Sequence, residues 1–74
     1  MKTVKLTAKP DTWFDEGTEV YDYGSDYENK VRITWLEFEE WKKSGMILAR
    51  GLRNGKTDGE ACGIDEFEVE IVEE

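Results

Sequence analysis

Acidic side chains are the residues of this chain whose number and spacing point most clearly to a chemistry. Of its 74 residues, 18 are aspartate or glutamate and 10 are lysine or arginine, which gives a formal net charge of −8. The acids form two blocks that contain no base, with seven acids in residues 11–28 and eight in residues 57–74. A fold that gathers such blocks on one face creates a field that repels nucleic acid and attracts basic protein surfaces. The charge pattern therefore predicts a basic protein surface as the partner and disfavours direct binding to DNA or RNA.

The second block includes the segment FEVEIV (67–72), whose alternation predicts the last strand of the fold. Alternate residues of a strand lie about 6.7 Å apart, inside the ~8 Å Debye length at physiological salt, so its glutamates act as a group. Such a row can imitate a phosphate backbone and occupy a channel lined by lysine and arginine. It can equally be a solvated strand whose charges protect a sheet edge from aggregation. The acids predicted to bind are Asp65, Glu66, Glu68 and Glu70, with charge contributed by Asp15, Glu16 and Glu19.

Two aromatic residues, Trp13 and Phe14, stand in the acidic segment 11–17 and are candidates for a binding hot spot. Aliphatic residues are few, so a core position is at least as well supported for Trp13. We therefore expect Phe14 and Tyr27 to be exposed, with Phe14 as the apolar anchor of the acidic surface. These rings lie among acidic residues, whereas the aromatic residues that stack on single-stranded nucleic acid lie among basic groups.

Catalysis has little support in the sequence. The chain has no histidine, so a nucleophile such as Cys62 or Ser25 lacks the usual base. A pair of carboxylates for glycoside hydrolysis needs a cleft that one small core can hardly enclose. We expect a protein that is not an enzyme, with Cys62 as a small buried side chain.

The spacing of the acids suggests one kind of metal site, a calcium site. Asp22, Asp26 and Glu28 carry oxygen ligands, but Tyr27 stands where the EF-hand loop requires glycine. We expect no specific metal site and no cofactor.

The composition also predicts organisation and compartment. A chain of this length accommodates one core, so residues 1–74 are expected to form a single domain. One cysteine cannot form an internal disulfide, and residues 1–10 contain no apolar run long enough for a signal peptide or a membrane span. We expect a soluble monomer in the cytoplasm.

The first half of the chain predicts short strands. Residues 3–9 (TVKLTAK) alternate, residues 11–17 form an aromatic loop, and residues 18–23 (TEVYDY) form a second strand closed by Gly24 and Ser25. A further short strand, KVRI, covers 30–33.

One helix is predicted at 35–44. Thr34 and Glu37 form a capping box, and Gly45 stands where a left-handed C-terminal cap belongs. An aromatic stripe is expected to face the core, with Leu36 beside it and a Glu39–Lys43 pair on the solvent side. The stripe consists of Trp35, Phe38 and Trp41.

A hairpin follows the helix. A strand is predicted at residues 46–53 (MILARGLR). Asn54-Gly55 after it is a strong signal for a two-residue hairpin turn, which would place Leu52 opposite Thr57. Asp58-Gly59 offers a second turn, so the register stays open at this point. Arg50, Arg53 and Lys56 can pair with the acids that follow them.

The fold class that these elements predict is α+β, a small, strongly curved antiparallel sheet or partly open barrel with one helix at about 35–44. The pattern resembles SH3-like barrels in its aromatic loop after the first strand, in GTEV (17–20), and in the turn-like GIDEF (63–67) before the last strand. The helix departs from that pattern.

Two phrases, KLTAKPDTWFDEGTEV (5–20) and GIDEFEVE (63–70), are similar to stretches of small bacteriophage and mobile-element proteins. The resemblance implies a short, acidic, often inhibitory protein that acts by binding. The function predicted is a phage-encoded inhibitor that presents its acidic face to the nucleic-acid-binding site of a host defence protein, such as a CRISPR effector. One alternative is a structural or adaptor module of a phage particle or complex. Another is a sponge that grips an anionic nucleotide with the basic stretches.

Overall fold

The computed structural model describes residues 1–23 and 30–73, which form one α-helix and a six-stranded antiparallel sheet. The predicted fold class is confirmed to this extent: the fold is α+β, with one helix and an antiparallel sheet that is not closed. The elements are β1 Lys2–Ala8, β2 Glu19–Asp22, β3 Ile33–Thr34, α1 Trp35–Ser44, β4 Met46–Arg53, β5 Lys56–Gly63 and β6 Phe67–Glu73.

The first strand, β1, organises the sheet because it has neighbours on both edges. One edge pairs with β2 and β3 in succession, and the other pairs with β6 over seven residues. From β2 the sheet continues to β4 and then to β5. Although β5 and β6 are joined by a three-residue 3-10 turn, Ile64–Glu66, they lie at opposite margins of the sheet.

The helix has the bounds that its caps predict. The Thr34 hydroxyl accepts a hydrogen bond from the Glu37 backbone N–H at 3.2 Å, and the Glu37 carboxylate accepts one from the Thr34 N–H at 3.3 Å. Gly45 ends the helix at a φ of 79°, which a residue without a side chain adopts at no steric cost. The sequence signals at both ends are therefore confirmed.

One face of α1 covers the sheet as expected. Phe38 is buried, and Trp35 and Trp41 pack partly buried against the core. Leu36 was expected beside this stripe but is 76% exposed, because a 100° step per residue places it off the face that holds Phe38. The solvent-side pair also differs: Glu39 contacts Lys42 at 3.6 Å rather than Lys43.

The core centre is aliphatic rather than aromatic. The largest fully buried side chains are Leu6, Ile33, Ile47, Val4 and Val20. Phenylalanine rings lie around this centre, and the tryptophans pack at its rim. Cys62 is buried on β5, which agrees with its expected role as a small core side chain.

The β4–β5 hairpin forms in the register that Asn54-Gly55 predicts. Leu52 lies opposite Thr57, and both turn residues have positive φ, 53° and 78°. The second turn candidate, Asp58-Gly59, is part of β5 instead. In the first half, β2 and β3 are shorter than predicted, and Gly24 and Ser25 lie outside the described residues.

Candidate protein-binding surface

The clearest acidic feature is β6, which lies at a margin of the sheet. Within the described part of the chain its one paired strand is β1, and the register places Glu68 opposite Thr7 and Glu70 opposite Lys5. Residues paired in this way point to the same face, so both glutamates lie on the side away from Val4 and Leu6, which are core residues. Both are exposed, and among residues 1–23 and 30–73 neither forms an ion pair.

The two acidic blocks of the sequence meet in the fold. Thr7 has Glu19 as its partner on one edge and Glu68 on the other, so these two residues share a face from strands about 10 Å apart. A second junction joins Glu66 to the aromatic loop, because the Trp13 backbone N–H donates to the Glu66 carboxylate at 3.4 Å. The blocks are therefore neighbours and not on opposite sides of the fold.

Asp15 was predicted to add charge to the surface, and its carboxylate is bound within the protein. It accepts hydrogen bonds from the backbone N–H groups of Asn54 at 2.8 Å and Gly55 at 2.9 Å. These two bonds, the Gly55 bond first, lower the pKa of Asp15 below its ordinary value of 3.8. Asp15 thus ties the loop between β1 and β2 to the tip of the hairpin.

Glu66 has a comparable structural role. Its carboxylate accepts from the Gly63 N–H at 2.8 Å as well as from Trp13. Its backbone carbonyl accepts from the Lys9 N–H at 3.0 Å. Glu66 therefore holds the turn before β6 against the loop that follows β1.

Glu19 is also engaged. Its two carboxylate oxygens accept from the Arg32 guanidinium at 2.6 Å and 3.3 Å, in a half-buried bidentate pair. Such a pair neutralises most of the field of its carboxylate. Glu16 and Asp65, in contrast, are exposed and have no ion pair with any described residue.

The prediction that Phe14 is an exposed anchor is wrong. Phe14 is 3% exposed, and its ring centroid lies 6.3 Å from that of Phe67. The Asp15 N–H donates to the Leu52 carbonyl at 2.8 Å, which folds the loop back onto β4 and carries Phe14 into the core. A β-carbon added at Gly51 would lie 2.7 Å from Val20 Cγ1 and 3.2 Å from the Phe14 ring, so these core side chains would have to shift to admit it.

Trp13 is half-buried between polar partners. Its indole N–H donates to Asp58 at 3.1 Å, and the Arg53 guanidinium lies 3.4 Å from its ring centroid. Arg50 lies over the Tyr23 ring at 5.2 Å. These arginines contact rings and form no ion pair within the described ranges, which differs from the pairing with following acids that the sequence suggested. Tyr27 lies outside the described residues.

Sequence reasoning missed two apolar members of this region, Val69 and Ile71. Both lie on the core side of β6, as the alternation of FEVEIV predicts, yet each is 44% exposed. Their partners on β1 are buried Leu6 and Val4. No local signal in the sequence shows that this margin is left uncovered by the elements of residues 1–23 and 30–73.

Cys62, one of the two nucleophiles considered, is buried in the core. Burial raises the pKa of the Cys62 thiol to about 11, with smaller contributions from the carboxylates of Glu66 and Glu60. The reactive thiolate is therefore scarce at neutral pH. Ser25, the other nucleophile considered, lies outside the described residues.

A cleft of about 500 Å³ lies where residues 30–34 pass the start of β1. Lys30, Arg32, Tyr21 and Thr3 line it. The Thr3 hydroxyl is buried and has no hydrogen-bond partner in the described structure. Two basic side chains, Lys30 and Arg32, therefore line a concave surface here.

Other classes of site find no support in residues 1–23 and 30–73. No three acidic or cysteine side chains there are grouped so that they could hold a metal ion, and Asp26 and Glu28 lie outside these ranges. None of the helical structure described is long and apolar enough to cross a membrane. Comparisons of the chain with protein-family models, curated proteins and solved structures find no match.

Proposed function

We propose that this protein is a non-catalytic binding protein whose acidic surface occupies a basic, nucleic-acid-binding site of another protein. The acidic surface is defined by four exposed carboxylates, those of Glu16, Asp65, Glu68 and Glu70. The observation that carries the proposal is the pair Glu68 and Glu70, which project from a margin strand with no ion pair in the part of the chain described.

Charge density supports a basic partner. Consecutive outward glutamates on β6 are about 6.7 Å apart, which is roughly half the linear charge density of one DNA strand. Lys5 on β1 lies opposite Glu70 and offsets part of its field, whereas Glu68 lies opposite the uncharged Thr7. Glu68 is therefore expected to contribute most to attraction of a basic site.

The finer parts of the proposal concern origin and target. Pairing of the first strand with the last, and the short turn before the last strand, support a partly open barrel of the SH3-like kind. The similarity of residues 5–20 and 63–70 to phage and mobile-element proteins supports a phage-encoded inhibitor in the host cytoplasm. A host defence protein that handles nucleic acid, such as a CRISPR effector, has the basic channel that the acidic surface requires.

Capture of partners from a bacterial lysate tests the proposal. The wild-type protein and two double variants, Glu68→Lys with Glu70→Lys and Glu39→Lys with Glu40→Lys, serve as baits at low and high salt. Both variants change the net charge equally, but the second changes two helix positions, half-buried Glu39 and exposed Glu40, that contact Lys42 and Lys43. We expect capture to fall with salt and to be lost only with the β6 variant. Capture that resists salt, or that both variants reduce equally, contradicts a role for the acidic surface.

A second candidate function, the nucleotide sponge, has one observation in its favour. The cleft lined by Lys30 and Arg32 has a volume of about 500 Å³, which is within the range of small-molecule sites. The bidentate contact of Glu19 with Arg32 reduces the positive potential of the cleft, so this candidate ranks second. A panel of nucleotides in a thermal-shift assay tests it, and the absence of any rise in Tm would exclude it.

A further inference from the structure

The margin of the sheet at β6 combines three features. Its outer face carries Glu68 and Glu70, and its core face carries Val69 and Ile71, each 44% exposed. The third feature is the strand edge itself, because β6 has β1 as its one partner within the described residues. Such an edge presents a row of backbone N–H and C=O groups to solvent.

Val69 and Ile71 show that the core is incompletely covered at this margin. Their cross-strand partners, Leu6 and Val4, are 0% and 1% exposed. The apolar layer therefore continues from β1 onto β6 and remains open to solvent there. A strand added beside β6 would cover these two side chains and satisfy the free backbone groups in one step.

We propose that β6 accepts an added antiparallel strand from the target protein, a segment in which lysine or arginine alternates with valine, isoleucine or leucine. This inference rests on the proposed function and specifies the kind of segment that binds. Residues opposite Glu68 and Glu70 are basic, because directly opposed unlike charges stabilise a sheet. Residues opposite Val69 and Ile71 are apolar and complete the layer.

A second copy of this chain is a poor occupant of the same edge. In the fully overlapped antiparallel register of β6 with itself, Val69 meets Ile71 but Glu70 lies opposite Glu70 of the other copy. Like charges directly opposed destabilise a sheet. The acids thus select against self-pairing and in favour of a basic strand.

The experiment uses a fluorescently labelled nine-residue peptide of alternating lysine and valine, titrated with the full chain and followed by anisotropy. Two further peptides have the same side chains but carry backbone N-methyl groups, one on every lysine and the other on every valine. Successive residues of a strand direct their N–H groups to opposite edges. One set of N-methyl groups therefore blocks the hydrogen bonds of the edge that faces β6, and the other set does not. We expect one methylated peptide to bind at least about tenfold more weakly and the other to bind like the parent.

Protein variants separate the backbone contact from the charge. Glu68→Gln with Glu70→Gln is expected to weaken the parent peptide at least about fivefold at low salt, while the matched Glu39→Gln with Glu40→Gln leaves its affinity unchanged. Amide hydrogen exchange in 67–73 is expected to slow when the parent peptide binds. Equal affinity of both methylated peptides overturns strand addition. If the β6 glutamines still weaken binding in that case, the proposed function stands; if they do not, it fails as well.

Discussion

Glu66, directly before β6, and Glu68 and Glu70, on β6, are close in the sequence but differ in their surroundings. Glu66 accepts two backbone hydrogen bonds from Gly63 and Trp13. Glu68 and Glu70, two and four residues further on, have no ion pair in the described structure and face solvent. The position of a carboxylate relative to unpaired backbone N–H groups decides whether it stabilises the fold or remains available to a partner.

The loop after β1 also contains a carboxylate that accepts hydrogen bonds from backbone N–H groups, as Glu66 does. Asp15 binds the hairpin tip, Phe14 fills the core, and Trp13 stacks under Arg53. The composition of this loop is typical of a binding loop, but three contacts hold it against the rest of the fold. Among the 18 acids behind the net charge of −8, Asp15 and Glu66 are thus held by backbone N–H groups of the fold itself.

Phe14→Ala gives the largest expected effect and tests whether the loop belongs to the core. Loss of a buried phenylalanine is expected to lower the free energy of unfolding by about 3–5 kcal/mol, against a total of roughly 4–11 kcal/mol for a chain of this length. Urea titration followed by tryptophan fluorescence measures it. Leu36→Ala, at an exposed position, is the control and is expected to change stability by less than about 0.5 kcal/mol. A Phe14→Ala variant that keeps its stability and loses only binding would contradict the core position and support Phe14 as an exposed anchor.

Glu66→Ala is expected to destabilise the protein by about 1–2 kcal/mol, since two backbone N–H groups lose their charged acceptor. Asp65→Ala is the matched control, because Asp65 is the exposed neighbour in the same turn. Thermal unfolding by circular dichroism measures both variants. Equal Tm values for the two would show that the turn does not depend on Glu66.

Asp15→Asn is expected to lower Tm in a manner that depends on pH. Hydrogen bonds to Gly55 and Asn54 lower the pKa of Asp15 in the folded state below 3.8, so its stabilisation is present above the unfolded pKa and is lost as the pH falls through the folded one. The difference in Tm between wild type and variant is therefore largest near neutral pH and disappears in strong acid. A difference that is constant from pH 7 to pH 2 would contradict this role.

Glu68→Gln with Glu70→Gln gives the smallest expected change in stability and sharpens the contrast with Glu66. Each substitution is expected to alter the free energy of unfolding by less than about 0.5 kcal/mol, because neither carboxylate has an ion-pair partner among the described residues. Chemical denaturation measures the change. A loss comparable to that of Glu66→Ala would mean that β6 acids serve the fold and not a partner.

Local signals in the sequence account for the elements that were predicted correctly. Helix α1 follows from Thr34, Glu37 and Gly45, and the hairpin follows from Asn54-Gly55. Each signal acts within four residues, where side-chain and backbone geometry are coupled without help from the rest of the chain. The same holds for the alternation that gives the faces of β1 and β6.

Contacts between distant segments account for what the sequence did not reveal. Phe14 is buried because Asp15 binds a turn 39 and 40 residues away, and no local pattern encodes that bond. Val69 and Ile71 are exposed because nothing in the described structure covers the margin of β6. The meeting of Glu19 and Glu68 across Thr7 likewise depends on sheet order, which composition and periodicity leave open.

The pairing of β1 with β6 also governs when this protein can fold. Lys2 lies opposite Glu73, so the contacts that complete the first strand span almost the whole sequence, and pairings of such high contact order form slowly. During synthesis β1 leaves the ribosome before β6 and lacks its second neighbour until the segment from Phe67 emerges. The sheet is therefore completed only after that segment has emerged, and until then β1 keeps one open strand edge.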